Sequence, residues 1–125
     1  MAEIYIRKNF TKNELECPCV NCRGKGVLPT DDCLDMLQSA REFYGAPMHV
    51  SSGVRCDWHN NVVGGAKNSR HLPAHRDGAD IRCTSPNQRF AMVHALMLAG
   101  ASCIKVYAGH IHADVRPGMK LFLLD

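Results

Sequence analysis

The segment GHIHADVRPG at residues 109–118 places two imidazoles and a carboxylate at alternate positions. Side chains of an extended strand alternate between two faces, so His110, His112 and Asp114 would share one face. The residues between them are apolar and would form an ordinary core face. Imidazole nitrogens and carboxylate oxygens bind metals and carry protons, so the polar face is a candidate reactive site. Surface histidines would give the same pattern, and the alternation alone leaves both interpretations open.

A second segment, NSRHLPAHRDGADIRC at residues 68–83, supplies further candidate ligands. His71 lies in a predicted loop, and Asp80 opens the strand predicted to follow it. With His112 they make a mixed nitrogen and oxygen set of three ligands. Catalytic zinc sites use such sets and keep a fourth position open for water, whereas structural sites are more often closed and rich in cysteine.

Seven cysteines, an odd number, favour reduced thiols or metal ligands over disulfides. Cys17, Cys19 and Cys22 have the spacing C-x-C-x-x-C and could bind a structural zinc ion, with Cys33 or a histidine as the fourth ligand. Because C-x-C is tighter than the usual C-x-x-C, buried free thiols or a disulfide are the alternatives. Three other cysteines fall beside or within predicted strands and are predicted to be small core residues: Cys56, Cys83 and Cys103.

The composition is that of a soluble globular protein: 125 residues, 46% hydrophobic, 22% charged, with a net charge of +3. This charge is too small to indicate nucleic-acid binding. The N-terminal residues lack an apolar stretch of signal-peptide length, and no segment approaches the ~20 residues of a membrane span. We therefore expect a single monomeric domain over residues 1–125, made in the cytoplasm, with no membrane or nucleic-acid partner.

The elements that would position these residues follow an α+β order. Helices are predicted at about 31–44 and 86–99, from capping signals and apolar spacing. Their predicted inward-facing residues are Leu34, Leu37, Ala40 and Tyr44 in the first and Phe90, Val93 and Met97 in the second. Strands are predicted at 48–52 and 80–84, followed by three antiparallel strands at 103–107, 110–115 and 120–124. Residues 1–29 are predicted to form an irregular arm that bears cysteines, and 53–79 a functional loop region.

Two segments, SSGVRCDWHNNVVGGAKNSRHLPAHRDGADI (51–81) and HIHADVR (110–116), resemble the zinc D-alanyl-D-alanine carboxypeptidase family. The similarity is greatest to its small phage and bacterial members, which are related to cell-wall-lytic endopeptidases. The shared pattern is S-G-x-R-C, V-G-G-A, S-x-H, A-D-I and a late H-x-D, in that order. The resemblance implies a Hedgehog/DD-peptidase-like fold, in which a small antiparallel sheet has helices on one side and a zinc cleft on the other.

The resemblance also implies that Zn²⁺ is bound by His71, Asp80 and His112, and that the protein hydrolyses a peptide bond in peptidoglycan. The stem peptide would be its partner, reached after release from the cell or delivery in a virion. His71 and Asp80 are nine residues apart, whereas the family spacing is seven. A two-residue loop insertion would explain this, and the alternative makes His75 the ligand. Ser69 matches the serine of the motif and is expected to shape the loop through a hydrogen bond.

Many family members carry Glu or Asp three residues before the last ligand, where this chain has Gly109. His110 is the nearest replacement as general acid and base, and an ordinary edge residue is the alternative. Asp114 would orient His112 or act as the base itself, and the first role is favoured. Arg55 would lie at the cleft and bind a peptide carboxylate or stabilise the oxyanion, unless it is simply a surface residue.

Three functions are consistent with these features. The first is a zinc-dependent murein peptidase of carboxypeptidase or endolysin type. The second is a non-catalytic cell-wall-binding or virion structural protein that keeps the fold. The third is a structural zinc-binding interaction module centred on the cysteines of residues 17–22.

Overall fold

The computed structural model of the chain describes residues 3–20, 22, 26–118 and 120–124. The strands are β1 (Tyr5–Arg7), β2 (Phe10–Thr11), β3 (Val50–Ser52), β4 (Gly78–Arg82), β5 (Cys103–Val106), β6 (His110–Asp114) and β7 (Leu121–Leu124). The helices are α1 (Lys12–Leu15), α2 (Asp31–Tyr44), α3 (Asp57–Val62) and α4 (Pro86–Leu98). The predicted α+β class is confirmed. Within the described ranges, every helix is too short or too polar to cross a membrane.

Five strands form the main sheet in the order β3-β4-β6-β5-β7. All neighbours are antiparallel except β5 and β7, which are parallel, so the prediction of three successive antiparallel strands was wrong for β7. Strand β6 already has β4 on one side and β5 on the other. After reversing direction at the end of β6, the chain pairs with the free edge of β5 and therefore runs parallel to it.

The two longer helices pack on the apolar face of the sheet. Helix α2 begins after the cap Thr30, whose side chain accepts a hydrogen bond from the Cys33 backbone N–H, and ends at Gly45 in the left-handed conformation, at φ 75°. Its predicted apolar stripe is confirmed, since three of its members are buried and Tyr44 packs partly against the core. These helices share a core with apolar residues of β4 and β6: Ala79, Ile81, Ile111 and Ala113.

Helix α4 has its predicted limits and its predicted cap, Ser85, but turns a different face inward. Phe90 and Met97 are 80% and 51% exposed, so their predicted inward orientation was wrong, while Val93 is partly buried. The buried residues are Met92, Ala95 and Leu96. The sequence FAMVHALML is apolar on all sides, so its periodicity does not select a face, and packing against α2 and the sheet decides it.

The N-terminal arm is more regular than predicted, because residues 5–15 form the β1–β2 hairpin and helix α1. Phe10 and Leu15 are fully buried in the main core. The loop region at 53–79 also contains a helix that was not predicted, α3. The Val54 backbone N–H donates to the carbonyl of Leu15 at 2.8 Å, so the arm is joined to the start of this loop region.

Candidate metal centre and active site

The polar face of the sheet, opposite the helices, carries the candidate site. The pairing of β4 with β6 places Asp80 directly opposite His112 and Gly78 opposite Asp114. A Cβ atom at Gly78 would lie 2.9 Å from Cε1 of His112, so this position has no room for a side chain beside the imidazole. The predicted alternation of β6 is thus confirmed, with Ile111 and Ala113 on the core face.

His71 reaches the same place from the loop region and is 2% exposed. Its backbone N–H donates to Oγ of Ser69 at 3.1 Å, which is the loop-shaping bond expected of that serine. Its carbonyl accepts from the backbone N–H of Arg55 at 2.9 Å. Its ring Nδ1 lies 2.6 Å from the carbonyl oxygen of Gly53. These contacts fix both the main chain and the ring of His71.

Three ligand atoms converge at this point: Nε2 of His71, Nδ1 of His112 and Oδ1 of Asp80. Each imidazole nitrogen lies 3.1 Å from the carboxylate oxygen, and the two nitrogens are 3.2 Å apart. A carbonyl can only accept, so Nδ1 of His71 carries the hydrogen and its Nε2 presents a lone pair in the neutral ring. Ligands about 2.0–2.1 Å from a tetrahedral zinc ion would lie about 3.3 Å apart. The donor set and its spacing therefore fit a metal ion.

The other side of the His112 ring is held by Asp114, which is fully buried. Nε2 of His112 lies 2.7 Å from Oδ2 of Asp114. The same carboxylate accepts hydrogen bonds from the backbone and guanidinium of Arg116, at 2.6–3.1 Å. With its oxygens occupied in this way, Asp114 is placed to orient His112 and not to take a proton from a substrate water.

The ionisable side chains of the site shift one another's pKa values. Burial raises the pKa of Asp80, but its close contacts with His112 and His71 outweigh burial and hold this pKa well below its usual range. Burial likewise raises the pKa of Asp114, and Arg116 with His112 lowers it well below its usual range. For His112, burial lowers the pKa, yet the bonds to both carboxylates raise it overall. The pocket thus favours a positive charge beside its two carboxylates, and a metal ion would displace a proton to supply it.

Replacing Asp114 with asparagine tests its orienting role. Because Asn is uncharged and pairs poorly with Arg116, we expect Asp114→Asn to lower activity about 10–100-fold while most of the metal is retained. Metal content and turnover should be measured on the same sample. Complete loss of metal would contradict the orienting role. Asp77→Asn is a matched control, since Asp77 forms a largely buried ion pair with Arg70 and, among the described residues, no hydrogen bond or ion pair joins it to His112.

His110 lies two residues before His112 on the same face and is about one-third exposed. Its Nε2 is 3.8 Å from Oδ2 of Asp80, and its ring stacks on Tyr107 with centroids 4.3 Å apart. His110 thus lies at the mouth of the site beside the converging ligand atoms. His75, the alternative ligand, lies outside this group, and its ring Nε2 is 3.5 Å from Oδ1 of Asn68.

The site opens into a cleft of about 550 Å³ whose lining includes Arg55, Lys105 and His110. Arg55 donates from its guanidinium to Oγ of Ser69 at 3.2 Å, while its buried Nε has no hydrogen-bond partner among the described residues. Lys105 lies over the Tyr107 ring, 5.0 Å from its centroid. Within the described ranges neither cation is in a salt bridge, so both can receive an anionic group.

The cysteines divide differently from the prediction. Cys17, Cys19 and Cys22 converge with Cys56, and their four Sγ atoms all lie within 4.8 Å of one another. Cys33, one of the two candidates for the fourth ligand beside a histidine, is instead buried in α2 and lies outside this group, and the prediction that Cys56 is a core residue was wrong. The predicted burial of the other two is confirmed: Cys83 and Cys103.

Sequence reasoning missed several residues that hold the site. Arg116 follows Asp114 at the spacing that puts both on one face, which could have suggested their pairing. Gly53 belongs to the S-G-x-R-C pattern, but its contact with the arm is not visible in the sequence. The Asn60 side chain also shapes the loop region, since it donates to the carbonyl of Ala66 at 2.9 Å.

Comparisons with known proteins give one family. The family model described as Peptidase M15 matches residues 8–114, which is most of the chain. This range begins in the arm and ends at the last residue of β6, so it contains every residue of the converging group. The chain matches none of the curated proteins.

Proposed function

The chain belongs to the Peptidase M15 family, a family of metallopeptidases, and on this premise we propose that it is a zinc-dependent peptidase that hydrolyses a peptide bond in bacterial peptidoglycan. The observation that carries the proposal is the convergence of His71, Asp80 and His112 with their ligand atoms facing one another. The second ring nitrogen of each imidazole contacts an oxygen atom, from the Gly53 carbonyl for His71 and from the Asp114 carboxylate for His112, as is usual for ligand histidines.

We assign the metal to these three side chains, with the cleft open beside them. A zinc ion held there would polarise the scissile carbonyl and lower the pKa of its bound water towards ~7. Two histidines and one carboxylate leave a coordination position for that water, which is typical of catalytic zinc sites. Burial of His71 and Asp80 limits competing contacts with bulk water and keeps their geometry fixed.

We assign substrate binding to two cations of the cleft that form no salt bridge with any described residue. The guanidinium of Arg55 and the ammonium of Lys105 can bind a carboxylate of the stem peptide through charge-assisted hydrogen bonds. Such a contact would orient the peptide across the metal centre and anchor it at one end. A carboxypeptidase would use it for the terminal carboxylate, and an endopeptidase for an acidic side chain of the stem.

Proton transfer is assigned to His110. Among the described residues that line the cleft, Asp80 is the only acidic one, and it is already assigned to the metal. Gly109 stands where many relatives have a carboxylate, and a Cβ atom there would meet no other atom within 4 Å. An imidazole at the mouth of the site can take the proton of the water and return it to the leaving amine.

Replacing His110 tests this assignment. We expect His110→Ala to lower kcat about 10²–10⁴-fold, with KM and metal content little changed, because general acid–base catalysis contributes a factor of this size. Unchanged kcat would contradict the assignment. His94→Ala is a suitable control, since His94 lies on α4, outside the cleft.

A non-catalytic cell-wall or virion protein that keeps the fold is the second candidate. The absence of a side chain at Gly109 favours it, since His110 is then the sole proton carrier proposed. Digestion of purified peptidoglycan followed by mass spectrometry of the fragments separates the two functions and identifies the bond. Fragments that a chelator suppresses would support the peptidase. Stoichiometric metal without any cleavage would support the non-catalytic protein.

A further inference from the structure

A second group of side chains that could hold a metal ion lies where the N-terminal arm meets Cys56, and the proposed peptidase activity does not use it. It consists of Cys17, Cys19, Cys22 and Cys56, here called the cysteine cluster. Sγ of Cys19 lies 3.1 Å from that of Cys22 and 3.4 Å from that of Cys56. All four sulfurs are within 4.8 Å of one another, although Cys56 is far from the other three in sequence.

We propose that the cysteine cluster is a structural zinc site, separate from the His71 centre. Four sulfur ligands in a closed arrangement are typical of structural zinc, which is bound tetrahedrally at about 2.3 Å per Zn–S bond. That bond length puts the sulfurs of a tetrahedral site about 3.8 Å apart. Two of the separations in the cluster, 3.1 and 3.4 Å, are shorter than this value, and all of them lie within 4.8 Å.

Backbone hydrogen bonds to sulfur support the same assignment. The backbone N–H of Cys56 donates to Sγ of Cys17 at 3.4 Å, and that of His59 donates to Sγ of Cys56, also at 3.4 Å. Such bonds stabilise the negative charge of thiolates and orient them towards a metal. A single disulfide would use only two of the four sulfurs, whereas one metal ion would bind all four.

The position of the cluster indicates what the metal would hold together. Cys17 follows Leu15, whose carbonyl accepts from Val54, and Cys56 follows Arg55, whose N–H donates to His71. The cluster thus fastens the N-terminal arm to the segment whose Gly53 carbonyl orients the His71 ring. Metal bound by the four thiolates would therefore position a ligand of the other centre without touching the substrate.

Metal analysis of the full chain, purified under reducing conditions, tests the proposal. We expect two zinc ions per wild-type chain, one in His71→Ala, and one in the double variant Cys19→Ser/Cys56→Ser. Cobalt bound to His71→Ala should show the near-ultraviolet charge-transfer bands of cobalt–thiolate bonds, because the cysteine cluster is the site with sulfur ligands. Cys83→Ala is the matched control and should keep both ions, since Cys83 is buried in the core away from the cluster.

A thiol assay of the wild-type protein keeps the test independent of whether the double variant folds. Under native conditions we expect four thiols to react slowly with metal present and quickly after a strong chelator is added. A wild-type chain with one zinc ion, lost in His71→Ala, and no cobalt–thiolate bands would overturn the proposal. A mass lower by two hydrogens, localised to a cluster disulfide in the reduced preparation, would do the same. Either failure would leave the peptidase assignment intact, since that activity is measured separately on peptidoglycan.

Discussion

Replacing His112 with alanine is expected to abolish peptidase activity and metal binding at the His71 centre. The variant loses one of three converging ligand atoms and leaves the buried Asp114 carboxylate without its imidazole partner. The fall in metal affinity should therefore exceed the ~10–100-fold that follows loss of an outer hydrogen-bond partner. Zinc content and cleavage of peptidoglycan should be measured on the same preparation.

The matched control for this experiment is His75→Ala. His75 belongs to the same loop region as His71, and the family spacing made it the alternative ligand, but it lies outside the converging group. It should keep its zinc and its activity. If His75→Ala loses the metal and His112→Ala retains it, the ligand assignment is wrong.

Replacing Gly53 with alanine is expected to unfold the protein or destabilise it severely. A Cβ atom at this position would lie 2.2 Å from the carbonyl oxygen of Leu15 and 2.8 Å from its Cα and carbonyl carbon. These are backbone atoms of the arm, which cannot move aside without breaking the hydrogen bond to Val54. Overpacking of this kind costs about 1–3 kcal/mol and occasionally more, and this clash lies at the severe end.

Urea denaturation of Gly53→Ala and Gly109→Ala, side by side, measures this effect. The second variant is the control, because a Cβ atom at Gly109 would meet nothing within 4 Å. Gly109→Ala should change the free energy of unfolding by no more than ~0.5 kcal/mol. Equal denaturation midpoints for Gly53→Ala and the wild type would contradict the predicted clash between a Cβ atom at Gly53 and the backbone of Leu15. Loss of zinc from the His71 centre should accompany the destabilisation, since the Gly53 carbonyl orients that ring.

The sequence predicted best the features that depend on residues close together in the chain. Helix α2 and the alternating faces of β6 depend on neighbouring residues, through capping and through the two-residue period of a strand, and both predictions were confirmed. The grouping of His71 with His112 was a hypothesis from their residue types that the family resemblance strengthened, because no local pattern shows two distant segments meeting. Their metal-binding roles stay predictions until an ion is measured.

The errors concern contacts between distant segments. Cys56 joins the cysteine cluster because the arm folds back onto the loop region, and nothing in its neighbourhood indicates this. Strand β7 pairs with β5, and runs parallel to it, because β6 already has a strand on each side. This arrangement is decided only when the whole sheet assembles. Phe90 of α4 is exposed because a helix that is apolar on every side leaves the choice of face to its neighbours.

The pairing of Asp80 with His112 across β4 and β6 sets a rule for how the length of this chain can vary. Suppose that one residue is added between His110 and His112 while the Asp114 end of β6 stays in place. Because strand positions alternate between the two faces, His110 would then move from the polar face to the face that packs against the helices. The loop from His71 to Asp80 is under no such restriction, because its turn at Leu72–Arg76 is held by local backbone hydrogen bonds and not by strand pairing. Variation in length should therefore accumulate in that loop, while the two strands admit none.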